Sequence, residues 1–333
     1  MGGILRWGIV LVALGGTVWT AQAAPRRVVL PHRVHALQMR MGKFTIPPAR
    51  EREVCEYRQL PNKKPMDVQE FEIRMSPGSH HFVLWAYFGG LGPKDFPAGI
   101  KDSPGCTGIG PGTDYHRANL TGMGQPNGKV SFPQGYALRL EPHQSLLLNS
   151  HYINSSATEP LTPQVVFNLV RARKSTVKHH LQTLTLGDYQ IPIPAHSTTS
   201  HTGEWHAPFD LTVEQLSSHQ HKRGIGLSAN LIVDGEDRGE IFRNLNDWQE
   251  PTIKWFDDRL GQPPIHLKQG DGFRFTCSWQ NNDDKDVRFG VTTDDEMCFL
   301  TGYYYIADEA APPAPRPGCF EERALSCFSA PIN

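Results

Sequence analysis

The sequence predicts an all-β protein made of two tandem antiparallel β-sandwich domains. Its 333 residues suffice for about two domains of ordinary size. The 31 glycines and 27 prolines are scattered among short apolar segments, a pattern typical of many strands joined by many turns. The helical candidate of note, residues 208–212, is short. We therefore expect sheets packed on sheets rather than helices.

The N-terminal segment Met1–Ala23 has the layout of a secretory signal. It carries one charge, Arg6, then an apolar stretch from Gly8 to Trp19, and it ends in the small-x-small sequence 21–23. A transmembrane anchor would need roughly 20 apolar residues, and this stretch has about 12. We expect cleavage after about Ala23 and a secreted or periplasmic protein with no membrane attachment after signal removal.

Strand-like runs follow in both halves of the chain. They are residues 69–75, 81–88, 136–140, 146–154 and 165–170, and then 181–186, 225–233, 273–279 and 287–292. Residues 89–135 are rich in Gly and Pro and predict long loops. A basic stretch at 171–174 separates the halves, which places an N-terminal domain at 26–174 and a C-terminal domain at 175–308. Residues 309–333 form a Pro/Ala-rich tail.

The charge balance and the cysteines limit the partners and the compartment. Lys plus Arg number 33 and Asp plus Glu 34, without a basic run, so a nucleic-acid partner is not expected. Export permits disulfides among the 6 cysteines, and sequence alone does not choose the pairing. Proximity in sequence suggests Cys277 with Cys298 and Cys319 with Cys327, which leaves Cys55 with Cys106. None has the C-x-x-C spacing of a thiolate zinc site.

Metal binding is suggested by the 15 histidines, and the first candidates lie in the N-terminal half. His80 and His81 are consecutive and can reach one ion only if the backbone bends there, as Pro77-Gly78-Ser79 would allow. His151 lies in a strand-like run on the same face as Asn149. A surface or packing role explains the first pair as well as a metal does, and a hydrogen-bonded core histidine would explain His151.

The other candidates lie in the C-terminal half. His219 and His221 are spaced i and i+2, which puts both imidazoles on one face of a strand, although an exposed polar strand has the same pattern. Met297 follows three acidic residues, 294–296, an unusual place for a core residue. A thioether is a soft ligand that favours copper, especially Cu(I). The acids alternatively suggest calcium, but they lack the alternating spacing of an EF-hand loop.

The other histidines are interpreted as solvated or without a metal partner. His179 and His180 lie in the basic connecting segment, and His196, His201 and His206 lie in what we expect to be a Ser/Thr-rich loop.

In chain order these segments resemble the copper type II ascorbate-dependent monooxygenases, the family of peptidylglycine alpha-hydroxylating monooxygenase and dopamine beta-monooxygenase. The matching segments are His80-His81, His151-Tyr152 with Asn154, His219-x-His221-x-x-Gly224, and 295–298 followed by Tyr304-Tyr305. Residues 184–188 leading to 191–194 are similar to the opening of the family's second domain. The resemblance spans roughly residues 30–306, and all six metal-ligand positions are filled.

The resemblance implies two jelly-roll-like domains with two copper ions per chain. His80, His81 and His151 would hold the copper that stores and delivers an electron. The predicted catalytic residues His219, His221 and Met297 would hold the copper where dioxygen meets a small-molecule substrate. The implied reaction inserts one oxygen atom into a C–H bond and releases the other as water, with ascorbate or another one-electron donor as reductant. The resemblance also supports the pairings Cys55–Cys106 and Cys277–Cys298.

Three departures from the family bear on the substrate. Asn149 stands where the family often has Gln, and Thr301 stands where a Tyr is usual. Ser217 takes the place of an Arg that grips the substrate carboxylate in the peptide-amidating members. A peptidylglycine substrate is therefore not expected, because its carboxylate would lack a bidentate anchor.

Two alternatives to a monooxygenase fit the same sequence. An exported copper carrier of the same fold would keep both sites without catalysis, although a carrier favours exposed and mobile ligands. An interaction domain with vestigial sites would fold without metal, although the complete ligand set argues against it.

Overall fold

The structure, a computed structural model of the chain, describes residues 28–87, 98–102, 117–245, 248, 251–290, 292 and 294–306. Within this part of the chain the protein consists of strands and loops, with two single 3-10 turns at Lys174–Thr176 and Asp258–Leu260. The predicted all-β class is confirmed. No helix in the described ranges is long and apolar enough to cross a membrane.

Nineteen strands follow one another along the described residues. They are β1 (Ala36–Arg40), β2 (Arg50–Gln59), β3 (Met66–Met75), β4 (Ser79–Tyr87), β5 (Ile100–Asp102), β6 (Arg117–Met123), β7 (Asn127–Ser131), β8 (Tyr136–Leu140), β9 (Ser145–Asn154), β10 (Val165–Arg171), β11 (His179–Gly187), β12 (Ser197–His206), β13 (Leu211–His219), β14 (Gly224–Val233), β15 (Glu236–Leu245), β16 (Lys254–Trp255), β17 (Ile265–Leu267), β18 (Gly272–Asn281) and β19 (Phe299–Tyr305).

These strands form three sheets. The largest has the order β1-β10-β3-β8-β11-β19-β13-β16, with β7 beside β3 and β17 beside β13. A five-stranded sheet has the order β5-β2-β9-β4-β6, and a four-stranded sheet has the order β12-β18-β14-β15. The named strands pair antiparallel throughout, except for β8 and β11, which pair in parallel where the two halves of the chain meet.

Each smaller sheet covers one half of the large sheet. Phe82 of β4 and Leu148 of β9 belong to the same buried cluster as Phe71 of β3 and Phe167 of β10. A second cluster joins the four-stranded sheet to β11, β13 and β19. The alternation of apolar residues along these strands supplies one buried face per strand, which is why the sheets pack as sandwiches. The predicted boundaries at 26–174 and 175–308 stay a prediction.

Several predicted elements differ from those observed. The helical candidate at 208–212 is a turn leading into β13, because Leu211 and Val213 are buried in strand pairs with β17. The strand predicted at 287–292 is reduced to isolated bridges of Val287 with Ile193 and of Phe289 with Glu296. Residues 117–131, which we expected to be loop, form β6 and β7.

The Ser/Thr-rich segment with His196, His201 and His206 is also not the predicted loop. It forms β12, an edge strand whose outward side chains are polar and partly or fully exposed while Trp205 is buried. His179 and His180 likewise begin β11 and do not lie in a connecting segment.

The predicted signal 1–23 and the tail 309–333 lie outside the described residues, as do Cys106, Cys319 and Cys327.

Candidate metal centres

Three histidines of the N-terminal half converge on two inner strands of the five-stranded sheet. β4 and β9 are neighbours, and His81 lies opposite His151. The register shifts between Ser79 and His81, so His80 and His81 together face His151, as in a β-bulge. Gly78, with a φ of 89°, precedes the bulge in the left-handed region. The backbone bend that the consecutive histidines required is confirmed.

The spacing of the three rings suits one metal ion. One candidate ligand atom from each of His80, His81 and His151 lies within 4.8 Å of those of the other two. The Nδ1 atoms of His80 and His81 are 3.1 Å apart, and the ring centre of His151 lies 4.9 Å from that of His80. Because metal–imidazole bonds are about 2 Å long, nitrogens this close can surround one ion. We name these residues the first cluster.

Neighbouring side chains fix which nitrogen faces the centre of the first cluster. The Nε2 atom of His81 donates to Oδ1 of Asn149 at 3.0 Å, and Nε2 of His151 donates to a carboxylate oxygen of Glu51 at 3.0 Å. Asn149 in turn donates to Glu53 at 2.9 Å. With the proton on Nε2 in both rings, the lone pair of each Nδ1 is left for a metal ion.

Two rings of the first cluster, those of His80 and His151, are neutral near neutral pH. Burial, aided by charge on His81 and His221, lowers the pKa of His80 to about 4. Burial and charge on its two partner histidines lower the pKa of His151 to about 3. The neutral imidazole is the form that binds metal, so these rings do not need to release protons first.

Two histidines of the C-terminal half form a second cluster. His219 is the last residue of β13, and His221 lies two residues later in the turn that leads to β14. The expectation that both lie on one strand is therefore wrong, and the turn brings them together instead, with ring centres 5.3 Å apart and planes at 90°. A Cβ atom at Gly224 would lie 2.6 Å from Cβ of Gln220, so this turn requires glycine there.

The backbone around Met297 is tied to the same turn. The Nδ1 atom of His221 donates to the backbone oxygen of Asp295 at 3.1 Å, which leaves its Nε2 for a metal ion. The carboxylate of Glu296 accepts hydrogen bonds from the backbone N–H groups of His221, Arg223 and Met297. Met297 itself is buried. These contacts tie the backbone beside Met297, the third residue predicted for this site, to the turn that carries His221.

The residue after Met297 is held by a disulfide. Cys298 is bonded to Cys277 of β18, as predicted, with their Cα atoms 5.9 Å apart. The other predicted pairings, Cys55–Cys106 and Cys319–Cys327, involve residues outside the described ranges. The Met297 segment is therefore fixed to the four-stranded sheet on one side and to the His221 turn on the other.

Histidines of the two clusters act on each other electrostatically. Desolvation by surrounding protein, followed by charge on His221, His81 and His80, lowers the pKa of His219 well below its usual range, although its side chain keeps exposed surface. Burial and charge on His81 likewise lower the pKa of His221, against the effect of Asp295. Histidines of the two halves therefore lie within electrostatic reach of one another.

Three residues near the clusters were not predicted. A carboxylate oxygen of Glu53 lies 3.8 Å from Nε2 of His81, and its charge acts electrostatically on His80, His151 and His221. Glu51 holds His151, and the ring of Trp248, from the segment after β15, lies 6.2 Å from that of His80. The spacing of Glu51 and Glu53 in the sequence predicts that both lie on one face of a strand. Their closeness to His151 could not be predicted, because it depends on β9 being the neighbour of β2.

The acidic run before Met297 does not form a calcium cage. Asp294 pairs with Lys222 at 2.5 Å, and Asp295 accepts a hydrogen bond from the Thr292 hydroxyl at 2.6 Å. Glu296 is fully buried against backbone N–H groups. The three carboxylates therefore serve three separate contacts rather than one ion.

The histidines expected to have no metal role have other partners. His196 contacts Asp284, His201 contacts the buried Asp188, and Nδ1 of His206 donates to the backbone oxygen of Gly270. His179 stacks on Tyr305 with ring centres 4.1 Å apart.

Comparison with known proteins identifies the C-terminal half. Residues 196–329 match the sequence model of the family described as "Copper type II ascorbate-dependent monooxygenase, C-terminal domain". The match contains His219, His221 and Met297, and it confirms the family resemblance. It continues past residue 308 into the predicted tail. A comparison with curated proteins gave no match.

Solved structures give weaker similarities. The STIV MCP is 11% identical, with a TM-score of 0.37 over 81% of this chain and 100% of that chain. The major capsid protein P2 from bacteriophage PM2 is 9% identical, with a TM-score of 0.34 over 82% of this chain and 98% of that chain. Scores this low carry no argument about fold or function.

Proposed function

Because residues 196–329 carry the C-terminal domain of the copper type II ascorbate-dependent monooxygenase family, we propose that this protein is an exported copper-dependent monooxygenase. It would hydroxylate a C–H bond of a small organic substrate with dioxygen and a one-electron reductant such as ascorbate, using two separate mononuclear copper sites. The observation that carries the proposal is that His80, His81 and His151 converge to within metal-binding distance, while His219, His221 and Met297 lie in the matched C-terminal domain.

The residues at both positions fit copper. The first cluster offers three imidazoles, a donor set that copper accepts in both oxidation states. The second offers His219, His221 and the thioether of Met297, and a soft thioether favours Cu(I). His80, His81 and His151 would hold one ion, and the other three residues would hold the second. Bound copper would supply one-electron transfer and dioxygen activation.

The chain's own residues prepare these sites before any ion binds. Asn149 and Glu51 orient the rings of His81 and His151, and Glu296 holds the backbone of His221 beside that of Met297. Glu53 places negative charge beside His81, where it would offset the positive charge of a bound ion. Such fixed groups lower the reorganisation that metal binding requires.

The surface beside His219 suits an uncharged part of a substrate. Phe299 lies opposite His219 in the β13–β19 pair, and Thr301 lies opposite Ser217. Ser217 and Thr301 are half-buried, and Phe299 packs against Tyr189 and Phe289. Beside His219 in this strand pair, Ser217, Thr301 and Phe299 thus offer two hydroxyls and an aromatic ring, and none carries a charge.

The overall reaction consumes one C–H bond, one dioxygen, two electrons and two protons. It yields one C–OH group and one water. Each copper would contribute one of the two electrons and would then be reduced again by the external donor.

Export is supported by the layout of Met1–Ala23 and by the Cys277–Cys298 disulfide, since disulfides persist in oxidising compartments.

The function is tested with purified protein, copper, ascorbate and air. A screen of small molecules under ¹⁸O₂ should find a product that gains one labelled oxygen, with oxygen uptake linked to that substrate. Met297→Ala should lower turnover at least about 10-fold, because the second site loses a ligand. Full turnover by Met297→Ala contradicts the assignment of this site. Rapid copper transfer to an acceptor without substrate-linked oxygen uptake would indicate a carrier instead.

A further inference from the structure

We propose that Glu296 is a positioning residue that sets the placement of His221 relative to Met297, and thereby the copper affinity of the second site. The inference rests on the proposed function, because it assigns His221 and Met297 to one copper site. It goes beyond the ligands themselves and concerns a carboxylate that would not touch the ion.

Glu296 is fully buried and uses both oxygens. Oε2 accepts from the backbone N–H of His221 at 2.9 Å and from that of Met297 at 3.3 Å. Oε1 accepts from the backbone N–H of Arg223 at 2.7 Å. Hydrogen bonds to a charged acceptor are about twice as strong as neutral ones, so one side chain fixes three amides on two segments.

The two segments joined by Glu296 are remote in sequence. His221 and Glu296 are 75 positions apart, and the strands that carry their segments, β13 and β19, pair only up to His219 and Phe299. Beyond that last pair the two segments are not paired with each other, although Glu296 forms a bridge with Phe289 and the backbone oxygen of Arg223 accepts from Gln280. Glu296 supplies the connection there, together with the His221–Asp295 contact and a bond from Arg223 to the backbone oxygen of Asp294 at 3.0 Å.

Because of the disulfide, loss of Glu296 should change the position of Met297 relative to His221 but not relative to the four-stranded sheet. Cys298 is fixed to β18, so the position of Met297 relative to the four-stranded sheet does not need Glu296. The position of Met297 relative to His221 does. Loss of the carboxylate should therefore separate one histidine ligand from the thioether while most of the sandwich stays in place.

The first test is Glu296→Gln. The amide keeps one acceptor oxygen and replaces the other with an NH₂ group, which cannot accept from a backbone N–H. We expect Cu(I) affinity at the second site, measured by chelator competition, to fall about 10-fold to 100-fold, as for other groups that orient metal ligands. Affinity at the first cluster should change less than about threefold. The Cu–S contribution to X-ray absorption of the Cu(I) protein should weaken.

Glu214→Gln is the matched control. Glu214 is also fully buried in the C-terminal half, but its carboxyl contacts the hydroxyl of Tyr136 and not the site. It reports what loss of a buried carboxyl does in general, and it should leave both copper affinities and the Cu–S signal unchanged. If Glu296→Gln keeps second-site affinity within about threefold and retains the Cu–S signal, the inference is overturned.

A second measurement keeps the test decisive if Glu296→Gln does not fold. In metal-free wild-type protein, the amides of His221, Arg223 and Met297 should exchange with solvent slowly, because each is bonded to the buried carboxylate. Rapid exchange of these amides overturns the inference. Failure of the proposed function looks different: the wild-type protein then lacks a second copper site, whatever the exchange rates.

Discussion

The amide oxygen of Asn149 lies 3.0 Å from Nε2 of His81, and this contact determines which nitrogen of His81 faces the first cluster. Asn149 is buried on β9, two residues before His151. β9 pairs with β2, the strand that carries Glu53. Its own NH₂ group donates to Glu53, so its orientation is fixed by a second partner. The amide thus transmits the position of Glu53 to a predicted copper ligand.

Asn149→Ala should weaken copper binding at the first cluster. Without the acceptor oxygen, the Nε2-protonated form of His81 loses its support, and we expect affinity there to fall about 10-fold to 100-fold. Isothermal titration of copper into the metal-free variant checks this. Asn168→Ala is the control, because Asn168 is a buried amide that donates to Glu72 and lies away from the histidines. Equal affinities in Asn149→Ala and the wild type would contradict this role.

Removal of the Cys277–Cys298 bond should affect stability and the second site together. The bond closes a loop with a sequence separation of 21, and opening such a loop costs about 3 kcal/mol of unfolding free energy. We expect Cys277→Ala/Cys298→Ala to shift the urea midpoint accordingly and to lower copper affinity at the second site more than at the first. An equal loss at both sites would indicate general destabilisation instead.

Ionisation of the buried Glu214 carboxyl should make the stability of the protein depend on pH, and this effect does not involve the predicted metal ligands. Burial, with charge on Asp257 and Asp258, raises its pKa from 4.5 to about 7, against the effects of Tyr136 and Arg259. A raised pKa favours the neutral form in the folded state. Its contribution to stability is therefore complete below about pH 4.5 and is lost as pH rises through about 7.

Glu214→Gln removes this ionisation while keeping the side-chain shape. We expect the variant to gain stability relative to wild type as pH rises from 5 to 8.5, by up to about 3 kcal/mol. Urea unfolding of both proteins at several pH values isolates the effect as a difference. Stability curves that run parallel across this range would show that Glu214 does not titrate there.

The uncharged surface at Ser217 and Thr301 predicts no preference for a substrate carboxylate. An acylated glycine and its primary amide should bind within about threefold of each other, since no bidentate cation stands opposite His219 on β19. Competition with the substrate found in the oxygen-labelling screen measures both affinities. Binding of the acid more than about 10-fold tighter than the amide would reveal a cation that the pairing of β13 and β19 does not provide.

Apolar periodicity predicted most long strands but not the polar ones. Residues 136–140 and 165–170 were recognised because their alternation or continuous apolar character matches a buried sheet face. The composition of β12 predicts a loop, because its outer residues, such as Ser200 and Thr202, face solvent at a sheet edge. Residues 287–292 have strand-like composition, but their described part makes only isolated bridges.

The candidate site was predictable to the extent that it resides in short motifs. The order of His80-His81, His151, His219-x-His221 and Met297 predicted the candidate ligands, and the structure places the three N-terminal histidines together. Glu51, Glu53 and Glu296 could not be assigned roles, because their partners are reached through the pairing of β2 with β9 or across 75 positions of sequence. Sheet register, which local sequence does not encode, determines these contacts.

Copper titration of the metal-free protein tests the central claim most directly. Two separate mononuclear sites require about two copper ions per chain in the wild type and about one in either His81→Ala or His221→Ala. Electron paramagnetic resonance of the Cu(II) forms should show a mononuclear signal in each variant, with different parameters for the two. A wild-type protein that binds one copper or none, or variants that both retain two, would contradict the account.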